Sequence, residues 1–198
     1  VNLKILHLAN FYNVDDKDNV ISEVTGTLPD ISKMPQLEYI DASYSNLSGQ
    51  LPEQIGLCRN LQVLELSANQ LTGSIPASIS ECTELQIFSV QDNKMSGEIP
   101  DLSALINLGK PLDLGLGVTE PGRLYLNGNQ FTGSFPESVV MLPRLQRFSC
   151  ADNKLTGSLP EDLSTMEDCE AFFADHNQFT GALPQQLPTK LWYFCLLY

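Results

Sequence analysis

Basic residues, histidine and long apolar runs are all scarce in this chain of 198 residues. Lys and Arg together number 11 against 24 Asp plus Glu, giving a formal net charge of -13. A surface of that sign repels phosphate, which argues against a nucleic-acid partner and against docking on anionic lipid. The two histidines, His7 and His176, stand far apart and share no nucleophile by pattern. That leaves few metal ligands and few bases poised near neutral pH. No stretch reaches the ~18 apolar residues that a membrane span needs. The N-terminal Val1-Asn2-Leu3-Lys4 lacks the charged start, apolar core and small-residue cleavage site of a signal peptide. Phosphate-loop, kinase and Cys-x-x-Cys signatures are missing, and the carboxylates are scattered on loops. No catalytic residue, metal site or cofactor is therefore expected. The hydrophobic fraction of 42% is ordinary and is enough for a folded core in one domain over 1–198.

Leucine, by contrast, is abundant at 31 residues, and it is periodic. Leu71-Thr72-Gly73-Ser74-Ile75-Pro76 recurs at Met95–Pro100, Phe131–Pro136, Leu155–Pro160 and Phe179–Pro184, with earlier copies at Leu47–Pro52 and Val24–Pro29. Gly49, Gly73 and Gly97 are 24 apart, as are Gly133, Gly157 and Gly181. The step from Gly97 to Gly133 is 36, which marks an insertion of about twelve residues. Each unit carries an apolar ladder upstream, clearest in Leu61-x-x-Leu64-x-Leu66-x-x-Asn69-x-Leu71. This is the leucine-rich-repeat signature at its expected length.

The pattern dictates the architecture. The apolar-x-apolar pair has period two and reads as a short strand with both residues facing inward. One such strand cannot bury its face alone, so neighbours stack into a parallel sheet on the concave side of a solenoid. Asn69, Asn93, Asn129, Asn153 and Asn177 stand where the chain leaves each strand. They read as a buried ladder whose amides satisfy loop backbone groups of the adjacent coil, with Ser45 in the same place one coil earlier. The prolines send the chain to a convex side of short helical turns. The expected fold is α/β: a right-handed solenoid of about seven or eight coils.

The Gly-x-Ile-Pro form resembles the plant-type subclass of these repeats, found in receptor-like kinase ectodomains, receptor-like proteins and polygalacturonase-inhibiting proteins. Ile79-Ser80-Glu81-Cys82-Thr83-Glu84-Leu85 looks much like the receptor-kinase ectodomains. The resemblance implies a second short strand around the Leu-x-Gly step and an extracellular or cell-surface setting. The paired cap cysteines typical of that subclass are absent.

Cys58, Cys82, Cys150 and Cys169 fall on core positions and read as buried free thiols, with a Cys58–Cys82 bridge as the alternative. Asn46-Leu47-Ser48 is a glycosylation sequon on the solvent side of the ladder. The first insert, about 10–23, reads as a solvated acidic loop; Asp15, Asp16 and Asp18 lack the Gly and Glu of a calcium loop. The second, about 109–121, reads as a plain loop, with folding over the solenoid as the alternative. Leu3, Leu6 and Leu8 form a naked first strand and Leu191, Phe194 and Leu196 a naked last one. Both ends read as truncated from a longer array, with stacking on a partner through them as the alternative.

Residues flanking and between the inward pairs are expected on the concave surface. The candidates for ligand contact are Tyr39, Asp41, Glu65, Ile87, Ser89, Arg123, Tyr125, Arg147, Ser149, Phe173 and His176, with Val63 and Ala171 in the same rows. Arg and Tyr are the usual anchors of interfaces, and aromatic faces also suit sugar rings. The expected function is recognition of a protein, peptide or glycan, as part of a receptor-like protein. A secreted inhibitor of a cell-wall hydrolase is the alternative, since an acidic face suits a basic target. A third reading is ice binding through the row Thr25, Ser48, Thr72, Ser96, Thr132, Thr156 and Thr180, spaced at ~4.8 Å by stacked strands.

Overall fold

The computed structural model describes residues 2–9, 25–113, 115 and 119–196. Eight three-residue strands form one parallel sheet in chain order: Ile5–His7, Tyr39–Asp41, Val63–Glu65, Ile87–Ser89, Arg123–Tyr125, Arg147–Ser149, Ala171–Phe173 and Tyr193–Cys195. The register is strict. Tyr39, Val63, Ile87, Arg123, Arg147, Ala171 and Tyr193 form one row, and Asp41, Glu65, Ser89, Tyr125, Ser149, Phe173 and Cys195 another. Between these rows the inward residues Ile40, Leu64, Phe88, Leu124, Phe148 and Phe172 are fully buried, and Leu66, Val90, Leu126 and Cys150 stack beneath them. Each buried leucine is favoured by about 1.5–3 kcal/mol over exposure. The core changes character along the solenoid. Early coils stack leucine and isoleucine; later coils stack Phe135, Phe148, Phe172 and Phe194 with centroids 5.1–6.1 Å apart.

The asparagine ladder is fully bonded. Asn69 Oδ1 accepts from Ser45 N and Leu47 N, and its Nδ2 donates to Ala42 O, Leu66 O and Ser67 O. Asn93, Asn129, Asn153 and Asn177 repeat the arrangement one coil further on each time. Ser45 donates to Leu8 O at 2.6 Å. Prolines deliver the chain to short 3-10 turns at Ile31–Lys33, Ile55–Leu57, Ala77–Glu81 and Glu137–Met141. Pro76 O and Pro136 O accept the first turn bonds, from Ile79 N and Val139 N. The second short strand of each coil pairs with its neighbour, as in Ser48–Gln50 with Gln70–Thr72 and Ser96–Glu98 with Gln130–Thr132. No helix among the described residues is long and apolar enough to cross a membrane.

All five cysteines are free, and Cys58, Cys82, Cys150 and Cys169 are buried. Cys58 Sγ and Cys82 Sγ point to carbonyls of the preceding coil, at 3.7 Å from Ile31 O and 3.3 Å from Ile55 O. Burial pushes the Cys82 and Cys169 thiols up to about 12, so at neutral pH they are inert small hydrophobes.

The second insert is not a plain loop. Leu112–Asp113 pairs antiparallel with Thr119–Glu120, and Leu112 packs on Val63, Ile87 and Tyr39. Its base is pinched: a Cβ on Gly122 would lie 2.0 Å from Gly109 C, and one on Gly109 would lie 2.1 Å from Leu145 Cα. Only glycine lets the two backbones cross there. The first insert, with Asp15, Asp16 and Asp18, lies outside the described residues.

Candidate functional site: the concave face

The insert divides the candidate residues into two groups. Ile87 and Ser89 are 0% exposed and Val63 is 2% exposed, so the expectation that they face solvent is corrected. The reason is Leu112, which seats on Val63 and Ile87 and gives them an apolar neighbour in place of water. Asp41, Ser149 and Ala171 are buried too. Asp41 Oδ1 accepts from Ser43 N and Ser43 Oγ, and Asp41 Oδ2 lies 3.6 Å from His7 Nδ1. These carboxylate bonds turn Asp41 toward its own coil rather than toward a ligand.

Glu65 on the early coils is bridged. Arg123 reaches back across the sheet to Glu65 at 3.0 Å and meets Glu120 of the insert at 2.6 Å. Its guanidinium also sits 5.9 Å from the Tyr125 ring centroid. The two carboxylates hold the Arg123 charge against the burial that opposes it. Glu120 was not among the sequence candidates. Its signal was the Glu120-x-x-Arg123 spacing at the foot of the insert, which carries weight only once the insert is known to fold onto the sheet.

Beyond Arg123 the face is open. Arg147, Tyr125 and Phe173 are half-buried, and Phe173 stacks on the exposed Tyr193 with centroids 4.9 Å apart. Burial, followed by the Asp41 charge, pushes the Tyr39 phenol up. His176 is exposed, with Nδ1 at 2.9 Å from Asp175 Oδ2 and 3.5 Å from Asp152 Oδ1. Asn46 is exposed, and its amide oxygen accepts from Gln70 Nε2. A further column was missed as a backbone feature: Tyr44, Ala68, Asp92, Gly128, Asp152 and His176 all have positive φ. The glycine at 128 was the one sequence signal for it.

Between the insert and the strands lies a pocket of about 410 Å³, lined by residues of both, among them Tyr39, Asp41, Glu120, Tyr125 and Arg147. Ser89 Oγ and Arg147 Nε, of two of its lining residues, are buried atoms with no hydrogen-bond partner among the described residues. An unpartnered buried polar group costs about 1–3 kcal/mol. No group of His, Cys, Asp and Glu among the described residues is arranged to hold a metal ion.

The Leucine Rich Repeat family model matches residues 36–58, 60–82 and 144–166. Comparison with curated protein sequences finds no match. Among solved structures, the plant peptide hormone receptor RGFR1, solved with RGF2, is similar at TM-score 0.76 and 32% identity, over 87% of this chain and 26% of that one. The Arabidopsis receptor kinase HAESA, solved with the peptide hormone IDA and the co-receptor SERK1, is similar at TM-score 0.73 and 28% identity, over 83% of this chain and 26% of that one. A plant ice-binding protein is similar at TM-score 0.71 and 25% identity, over 89% of this chain and 54% of that one. The chain thus spans about a quarter of the two receptor chains. Repeat spacing, bonded asparagine ladder and these matches together make the chain a leucine-rich-repeat solenoid, similar to plant receptor-kinase ectodomains.

Proposed function

We propose that this chain is the recognition part of an extracellular, receptor-like protein and that a peptide or protein binds along its concave face. The observation that carries the reading is the open stretch Tyr125, Arg147, Phe173 and Tyr193. It presents aromatic rings, and a guanidinium with no ion pair among the described residues, on a rigid sheet. Anchors of those types, presented without reorganisation, are where interface energy concentrates. The similarity to two plant receptors solved with peptide hormones supports the same reading.

Panning a phage-displayed random peptide library against the chain tests it. Enriched peptides should bind the double variant Arg147→Ala, Phe173→Ala at least about tenfold more weakly than the parent chain. Undiminished binding by a folded double variant would remove this face from consideration.

Ice binding has a specific observation behind it as well. Ser48, Thr72, Ser96, Thr132, Thr156 and Thr180 are all exposed, although the strand register sets Ser48 against Gln70, Ser96 against Gln130 and Thr156 against Gln178. Against it, the hydroxyls of Ser48, Thr72, Thr156 and Thr180 already donate to Gly26 O, Gly49 O, Gly133 O and Gly157 O. Thermal hysteresis of the purified chain decides this reading, and its absence ends it. The hydrolase-inhibitor reading rested on a free acidic face. Arg123 neutralises that face at Glu65, and Asp41 is buried in its own bonds.

A further inference from the structure

The pocket under the insert shares Tyr125 and Arg147 with the open stretch but adds residues of different chemistry. At about 410 Å³ it falls in the range of small-ligand sites, roughly 300–1,000 Å³. Its charged residues are Asp41, Glu65, Glu120, Arg123 and Arg147. Glu65 and Glu120 are both engaged by Arg123, and Asp41 is engaged by Ser43. An entering anion would meet three carboxylates against two guanidinium groups. An entering cation would meet Arg147 and carboxylates whose bonds are already made. Both signs of charge are therefore disfavoured, and an uncharged polar occupant fits.

The unmet demand in the pocket is for hydrogen-bond acceptors. Arg147 Nε–H can only donate, and the Ser89 hydroxyl can donate or accept. Gln91, Ser67, Tyr39 and Tyr125 are among the other lining residues. Tyrosine rings offer flat apolar faces with a polar tip. An occupant with several hydroxyls around an apolar ring face matches all of these at once. A lone amide or carbonyl would answer one orphan donor and leave most of the volume unfilled.

We infer that this pocket binds one neutral sugar ring. The ring is either the end of a free glycan or a sugar carried on the peptide or protein of the proposed function, and in the second case the inference rests on that reading. The insert is then a wall of the site: Glu120 closes one side and Leu112 fixes the wall to the sheet.

Saturation-transfer NMR with glucose, galactose, mannose, xylose, arabinose, N-acetylglucosamine and glucuronate, each at millimolar concentration, tests it on the intact chain. At least one neutral sugar should bind, and glucuronate should bind at least about tenfold more weakly than glucose, galactose or mannose. Ser89→Val and Arg147→Gln, each checked for native circular dichroism, should each weaken the sugar at least about fivefold. Phe173→Ala, outside the pocket, should leave it unchanged. Silence from every neutral sugar, tighter binding of glucuronate, or a sugar signal indifferent to both pocket variants would each overturn the inference. The library peptides separate this from the broader proposal. Peptides that still need Phe173 while no sugar binds sink the sugar site alone. A sugar that needs Ser89, with no peptide bound, sinks the peptide reading and leaves a free glycan as the source.

Discussion

Two coil-to-coil steps can be compared directly. From Val63 to Ile87 the chain takes 24 residues; from Ile87 to Arg123 it takes 36. The sheet does not register the difference. Leu66 N donates to Ser89 O at 2.9 Å in the short step, and Val90 N donates to Tyr125 O at 2.9 Å in the long one. The ladder is equally indifferent: Asn93 holds Leu71 N at 2.8 Å, and Asn129 holds Met95 N at 2.9 Å. A solenoid therefore accepts extra chain wherever the coil can close beneath it, and what it asks for is a closure. Here the closure is the crossing of Gly109 and Gly122, and the extra chain is placed on the concave face.

The sharpest way to break the long step is at that crossing. Gly122→Ala puts a methyl against the Gly109 backbone, which cannot give way without moving Leu145 as well. We expect a loss of about 3 kcal/mol or more in urea denaturation, at the upper end for overpacking. Gly26→Ala, whose added Cβ meets nothing within 4 Å, is the control; only its positive φ of 119° opposes the change. A similar loss at both positions would mean that the crossing is not the closure.

The ladder tests whether the two steps are equivalent in energy. Asn129→Ala leaves Met95 N without an acceptor, while Val90 O keeps Asn93, Leu126 O keeps Asn153 and Asn127 O keeps Asp92 N. Asn93→Ala does the same to Leu71 N, while Leu66 O keeps Asn69, Val90 O keeps Asn129 and Gln91 O keeps Ala68 N. Each should cost about 2–3 kcal/mol, and the two values should agree within about 0.5 kcal/mol. A markedly cheaper Asn129 would show that the long step relaxes where the short one cannot.

The short step was legible in the sequence and the long one was not, for a physical reason. Leu64, Leu66, Asn69 and Leu71 sit in an environment set by the same residues one coil away, so spacing alone fixes their burial and their bonds. The repeat even located the insertion, through the jump from Gly97 to Gly133. It could not say where the inserted residues go, because nothing in a 24-residue period constrains a segment that occurs once. Hence Ile87 and Ser89 were expected on an open face, and Leu112 and Glu120 were not expected to touch the sheet. Phe173, which lies outside the pocket beneath the insert, and Arg147, which lines that pocket, are both partly exposed as the period implied.

Arg123 ties the two steps together, since it joins Glu65 of the short step to Glu120 of the insert. Its side chain is 19% exposed and that of Glu65 is 12%, so screening by water is incomplete. Arg123→Met should cost about 2 kcal/mol at pH 7, because it strands two carboxylates near each other. The loss should shrink at high ionic strength, where repulsion between the two carboxylates is screened. Unfolding in urea at low and high salt measures this; a salt-independent loss would assign the role of Arg123 to packing alone.

The smallest effect probes how faithfully the long step preserves register. Asp92 and Asp152 stand in one column with Gly128 between them, at φ of 55°, 65° and 51° in column order for Asp92, Gly128 and Asp152. Burial, and then the charge of Asp152, push the Asp92 carboxyl up from its ordinary value. A carboxyl whose pKa is raised on folding binds its proton more tightly in the folded chain. Its penalty is full above the folded pKa and gone below the ordinary one, near 3.9. Asp92→Asn removes the charge and keeps a side chain suited to left-handed backbone. Because Asp92 is exposed, solvent screening holds the gain to a few tenths of a kcal/mol at pH 7. The gain should fade as the pH falls through the carboxylate range, and Asp152→Asn should remove part of it in advance. Denaturation midpoints of the single and double variants across pH 3–7 read both effects. A gain that persists at pH 3 would place it in the backbone conformation. Additive single variants would mean that the two coils joined across the insert are not coupled at this column.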